Sequence, residues 1–279
     1  MLIEILKAII FGVIEGICEW LPISSTGHLI LLEELIELNV SSNAELNLQF
    51  RSMFDVVIQL GAILAVIVLY FDKLNPLKRK NLPLLVKLIL VTLPAAIIGF
   101  IADLACERML GIDLDTLLFV PQTVAAALII YGIIFILVEI LGKKATNGTT
   151  KVTKRSALAI GFFQALAIIP GTSRSGATII GARIIGLDKQ SATEFSFFAA
   201  VPAILGASML KLFEFGDFLS SSDISITSNA VAILLIAFTV AFLISIISIK
   251  LLLGFIRKHS FIPFGIYRII LGIAVLILL

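Results

Sequence analysis

Apolar runs long enough to span a lipid bilayer recur from one end of the chain to the other, and no other feature restricts the fold as much. A helix needs about 20 predominantly apolar residues to cross the hydrocarbon core. Six stretches reach that length, at roughly 52–71, 84–102, 117–141, 191–213, 228–250 and 261–279. Lipid offers backbone groups no hydrogen bonds, so such runs must fold as helices. Of the 279 residues, 59% are hydrophobic and only 14% charged, against about a quarter charged in soluble domains. The expectation is one membrane domain over residues 1–279, without a soluble catalytic appendage. Cys18 and Cys106 lie in apolar sequence without CxxC spacing, which recommends neither a disulfide framework nor a zinc site. The first residues carry Glu15 and Glu19 and no basic leader or cleavage motif, so no removable signal peptide is expected.

Two further apolar regions are too broken to cross. Residues 5–21 and 156–169 run into LPISSTGH and IIPGTSRSG, after which apolar sequence resumes only briefly. Both read as re-entrant hairpins. Lys and Arg mark cytoplasmic loops. They collect at Lys73, Lys78, Arg79 and Lys80, at Lys143, Lys144, Lys151, Lys154 and Arg155, and at Arg257 and Lys258. The alternate loops are acidic, with Asp103, Glu107, Asp113 and Asp115 beside Arg108, then Glu214, Asp217 and Asp223. This alternation fits six spans, puts the second hairpin on the cytoplasmic side and the first on the outer side, and so inverts the two halves relative to each other. No basic, aromatic-studded face speaks for nucleic acid.

The halves also resemble each other. GVIEGICEWLPISSTG and GFFQALAIIPGTSRSG align with Gly12 on Gly161, Glu15 on Gln164, Ser24 on Ser173, Thr26 on Ser175 and Gly27 on Gly176, each pair 149 residues apart. Downstream, Phe54 falls on Phe195 and Ala62-Ile63-Leu64 on Ala203-Ile204-Leu205, 141 residues apart. The fold class expected is an all-α polytopic membrane protein: six transmembrane helices plus two re-entrant helical hairpins in an inverted-topology repeat. Repeat one covers about 1–141 and repeat two about 156–279, each a hairpin and three spans. In such folds the binding site lies near the midplane, where half-helix ends meet.

The hairpins hold the residues that carry chemistry. Glu15 and Glu19, four apart on an apolar helix, project from one face; ionisable groups within a span mark functional sites. Two close carboxylates can share a proton or bind a hard divalent cation, Mg²⁺ or Ca²⁺. Pro22 breaks the helix, and Ser24, Ser25 and Thr26 supply caps and hydroxyls to the one that follows, whose N-terminus favours an anion. His28 adds an imidazole able to act as base, acid or nucleophile. The second hairpin repeats the break at Pro170-Gly171 and follows it with Thr172, Ser173, Arg174, Ser175 and Thr178. Arg174 offers a permanently charged fork for phosphate, or for neutralising Glu15 or Glu19. A hydroxyl nucleophile, an imidazole, an anion clamp and a metal site are the parts phosphoryl transfer requires. Arg268, Gln59, Gln164 and Glu194 are left between site and packing roles.

EGICEWLPISSTGH, PGTSRSGATI and ATEFSFFAAVPAIL resemble, over essentially the whole chain, the undecaprenyl-diphosphatase family of the BacA type, associated with bacitracin resistance. The resemblance implies a multi-pass protein of the bacterial inner membrane, its active site facing outward, that hydrolyses undecaprenyl diphosphate to the monophosphate and inorganic phosphate and so recycles the lipid carrier for the cell wall. It implies Glu15 and Glu19 for metal binding or acid-base work, Ser25 or His28 for attack on phosphorus, and Ser173, Arg174 and Thr178 for diphosphate binding. Ser25 assisted by His28 is favoured, and attack by His28 stays open. Membrane lipids are the expected surroundings, and a homodimer is left open. The alternative is a polyprenyl-phosphate flippase or other anion transporter, which would show the same half-helices but has little use for two glutamates, a histidine and spare serines. A receptor for bacitracin-like peptides lacks a large outer loop.

Overall fold

A computed structural model describes residues 2–142, 148–222 and 226–279. Lys143, Lys144 and Asp223, three of the charges used to orient the loops, lie outside the described residues. The described chain is helical apart from one isolated bridge between Thr149 and Leu187. The helices are α1 (Leu2–Cys18), α2 (Ser25–Leu35), α3 (Ala44–Leu69), α4 (Phe71–Leu74), α5 (Leu82–Leu110), α6 (Leu114–Leu118), α7 (Pro121–Gly142), α8 (Lys154–Ala165), α9 (Arg174–Ile184), α10 (Lys189–Ser221), α11 (Ser228–Lys258) and α12 (Ile262–Leu278).

Among the described residues, five helices are long and apolar enough to cross a membrane: α3, α5 with the turn before it, α7, α10 and α11. The sixth expected span falls short. Helix α12 starts at Ile262, next to Pro263, and has 17 residues, about 26 Å at 1.5 Å per residue, the lower limit for a crossing. The interrupted regions stop being helical where their sequences break. Helix α1 ends at Cys18 and α8 at Ala165, and the helices that resume, α2 and α9, have 11 residues each. At about 16 Å neither can span the hydrocarbon core.

The packing partners exchange when the halves are exchanged. Helix α1 lies along α11, and α8 lies along α5; α3 packs on α10, and α7 on α12. Matching glycines permit the first two contacts, since a Cβ on Gly12 would stand 2.6 Å from the carbonyl of Ala237 and one on Gly161 2.6 Å from that of Val91. Small residues let backbones approach in this way inside a membrane. The exchange is imperfect: α11 is closely packed on α3, whereas α5 and α10 diverge around an apolar cavity of about 430 Å³ lined in part by Ile67, Leu88, Val201, Pro202 and Leu205.

Candidate active site

The starts of α2 and α9 are linked through Glu19. Ser24 caps α2 by accepting from the Gly27 amide at 3.3 Å, and Ser173 caps α9 by accepting from the Gly176 amide at 3.1 Å. Both caps have left-handed backbone, φ 73° and 69°, and among the described residues no other non-glycine residue has positive φ. Such backbone is strained in a residue with a Cβ and persists only where its surroundings fix it. The two hairpins touch directly as well, through the Ser175 hydroxyl donating to the Leu21 carbonyl at 3.4 Å.

Glu19 joins the halves. Its Oε2 accepts from the Ser25 hydroxyl at 2.9 Å, and its Oε1 accepts from Arg174 Nη2 at 2.6 Å. Arg174 Nη1 donates to the Ser196 carbonyl of α10 at 2.8 Å, which aims the guanidinium. Of the two partners open to Arg174 from sequence, the structure selects Glu19. Glu15, one turn earlier, is fully buried, and neither of its carboxylate oxygens has a hydrogen-bond partner among the described residues. A buried carboxylate in that state needs a proton or a cation. Asp55 of α3 likewise buries one unpaired oxygen.

His28 is held at both nitrogens, its Nδ1 2.7 Å from the Ser24 carbonyl and its Nε2 2.7 Å from the Tyr267 hydroxyl. A carbonyl only accepts, so Nδ1 carries a proton, and in the neutral ring Nε2 accepts from Tyr267. Thr26 is half-buried beside the cap. The hydroxyls of Ser173 and Ser175 lie 3.1 Å apart, next to Arg174. Thr178 is turned toward α10: its hydroxyl bonds the carbonyls of Arg174 and Ser175 and meets Ser196 Oγ at 2.6 Å. Gln164 donates to the Val91 carbonyl, and Glu194 pairs with Lys73.

Sequence reasoning leaves Arg268 undecided and misses Tyr267 and Ser196. Arg268 is fully buried and reaches both hairpins. The signal for it is present, because it is the one charge in an otherwise apolar helix. Nothing local marks Tyr267, whose partner is 239 positions away.

No group of three or more histidine, cysteine, aspartate or glutamate side chains placed to hold a metal occurs among the described residues. The pair Glu15 and Glu19 nevertheless fits a hard cation of the Mg²⁺ kind, which uses one or two carboxylates and completes its shell with phosphate oxygens and water. Two buried, unpaired oxygens on Glu15 are the feature that fits.

Residues 8–274 match the family model described as "Bacitracin resistance protein BacA". The chain belongs to the BacA family. Among BacA relatives, a protein of Desulfitobacterium hafniense named undecaprenyl-diphosphatase is 47% identical, the alignment covering 99% of this chain and 96% of that one. Proteins with the same name from Enterococcus faecalis and Acetivibrio thermocellus are 46% and 45% identical, with 99% of this chain covered in each case and 97% and 98% of theirs. The family match spans both hairpins, so Glu15, Glu19, Ser25, His28 and Arg174 all lie inside it.

Proposed function

We infer that the protein hydrolyses undecaprenyl diphosphate to undecaprenyl phosphate and inorganic phosphate, recycling the carrier lipid of cell-wall synthesis, and that this activity underlies bacitracin resistance. The family and the shared name of full-length relatives support the reaction class. The observation that carries the mechanism is the contact of Ser25 Oγ with a glutamate whose other oxygen is fixed by Arg174.

Ser25 Oγ attacks the terminal phosphorus while Glu19 takes its proton. The P–O bond to the bridging oxygen breaks, and undecaprenyl phosphate leaves carrying the proton that Glu19 took, so that Glu19 is a carboxylate again when water enters. Water then attacks the phosphoserine, a proton passes through Glu19, and inorganic phosphate departs as Ser25 is restored. The amides opening α2 and α9, Arg174 and the hydroxyls of Ser24, Thr26, Ser173 and Ser175 face the charge that develops on phosphorus. Thr178 holds the start of α9 to α10. Attack by His28 would first require its Nε2 to leave Tyr267, so Ser25 is the better nucleophile and His28 a brace for its loop. Glu15 and Glu19 would hold Mg²⁺ or Ca²⁺, which when bound neutralises phosphate charge.

The architecture belonging to this reading has six crossings, α12 included, and two inverted hairpins that stop at the midplane. The site opens outward from the bacterial cytoplasmic membrane. Supporting that side are aromatic contacts that link Trp20, next to Glu19 in sequence, with Lys73 of the basic loop: Trp20 meets Phe197 edge to face at 5.2 Å, Tyr70 meets Phe198 at 4.9 Å, and Lys73 lies over both of the latter rings. Purified protein in detergent with Mg²⁺ is expected to release phosphate from undecaprenyl diphosphate. Absence of release from wild type, with the lipid bound, would contradict hydrolysis.

A further inference from the structure

Arg268 sits in the middle of a helix that is otherwise apolar. A charge there normally snorkels to an interface or pairs with an acid. Arg268 does neither: it is fully buried and has no carboxylate partner among the described residues. Its partners are carbonyls set free where the hairpins break. Nη1 donates to Pro22 O of the first tip at 3.3 Å, and Nη2 donates to Gly171 O and Thr172 O of the second, both at 2.8 Å. Irregular backbone at membrane depth must find donors inside the protein, and one guanidinium supplies them to both tips.

The surroundings leave that group little freedom. The guanidinium lies 5.9 Å from the Tyr131 ring centre and 6.0 Å from that of Phe135, both on α7. Its Nη1 closes on the first turn of α9 so tightly that a Cβ added to Gly176 would stand 3.2 Å from it. Pro22 precedes the strained cap Ser24 by two residues, and Gly171 precedes its counterpart Ser173 by two. A rigid planar fork bonded to both segments therefore sets the separation of the two caps, and with it the alignment of Ser25 on one hairpin with Arg174 on the other.

We propose that Arg268 is a positioning residue for the reaction: touching no substrate atom, it fixes the gap between the hairpin tips across which Ser25, Glu19 and Arg174 must meet. The inference rests on the hydrolytic reading above. A lysine keeps the charge but, as a compact point donor, lacks the two separate nitrogens with which Arg268 reaches the two tips. Small misplacements of reacting groups cost about 100-fold in rate, so Arg268→Lys is expected to lower kcat about 10- to 100-fold with KM little changed.

Arg268→Ala, with and without added guanidinium, gives the test, read by phosphate release and by hydrogen–deuterium exchange of the full-length protein in detergent. Exchange is expected to accelerate in both 20–28 and 170–178 but not in α11, and guanidinium should restore protection together with kcat. Two results would overturn the proposal: a kcat within about twofold of wild type in Arg268→Lys, and faster exchange in one tip alone or in neither. If the paired exchange change occurs but wild-type protein releases no phosphate, the positioning of the tips stands and the hydrolytic reading falls.

Discussion

Glu19 is the residue at which the two hairpins become one site, because its two oxygens are divided between Ser25 of the first and Arg174 of the second. Removing its charge while keeping its shape tests both contacts at once. Glu19→Gln is expected to lower kcat about 10²- to 10⁴-fold, the range for loss of a general base, without loss of expression or folding. Tyr267→Phe should cost less, because it frees His28 Nε2 but leaves Ser25 and Glu19 in contact; a rate above that of wild type would mean that His28, once freed, itself attacks. Glu15, Glu19, Ser25, His28 and Arg174 are legible in the sequence because charges and hydroxyls stand out in apolar surroundings. Which partner each one takes is not legible. The Arg174–Glu19 pair spans 155 positions and the His28–Tyr267 pair 239, and only the packed halves bring them together.

At the scale of the element, the matched hairpins follow from matched breaks. Pro22 and Pro170 end the incoming helices, and Ser24 and Ser173 start the outgoing ones with the same cap bond and the same unusual φ. Positive φ in a serine costs on the order of 1 kcal/mol, and glycine substitutes for a capping serine at a loss of only a few tenths. Ser24→Gly is therefore expected to leave thermal stability unchanged or slightly raised, while activity falls with the lost hydroxyl. A clear drop in stability would show that the cap bond outweighs the strain. The crossings at Gly12 and Gly161 should be the least tolerant points on α1 and α8. Gly12→Val and Gly161→Val are each expected to destabilise by about 1–3 kcal/mol, the cost of overpacking, measured by unfolding in detergent. The break positions were readable from Pro and Gly placement. The left-handed caps were not, since serine gives no local signal for positive φ.

In the whole molecule, the pairing of α1 with α11, α8 with α5 and α7 with α12 is what two intertwined copies of one unit would make. The sequence offset at the hairpins already implies two such units, but not that each packs its first helix against the other's second span. Helix α12 also marks a limit of hydropathy: counted as a full span, it has 17 residues because Pro263 and the turn before it mark the helix start. The opposite orientation proposed for the halves has a direct consequence for labelling. A cysteine at Asn75, after the first long helix of repeat one, should react with a membrane-impermeant reagent only from the inner side, and one at Asp217, at the end of the corresponding helix of repeat two, only from the outer side; labelling of both from the same side would contradict inversion.

A covalent phosphate tests the central claim most directly. Rapid quenching of the enzyme in neutral denaturant during turnover of undecaprenyl diphosphate, which preserves phosphoserine and acid-labile phosphohistidine alike, followed by peptide mass spectrometry of residues 20–35, is expected to find phosphoserine at Ser25 and none in Ser25→Ala. Phosphate on His28, or full turnover by Ser25→Ala, would contradict it.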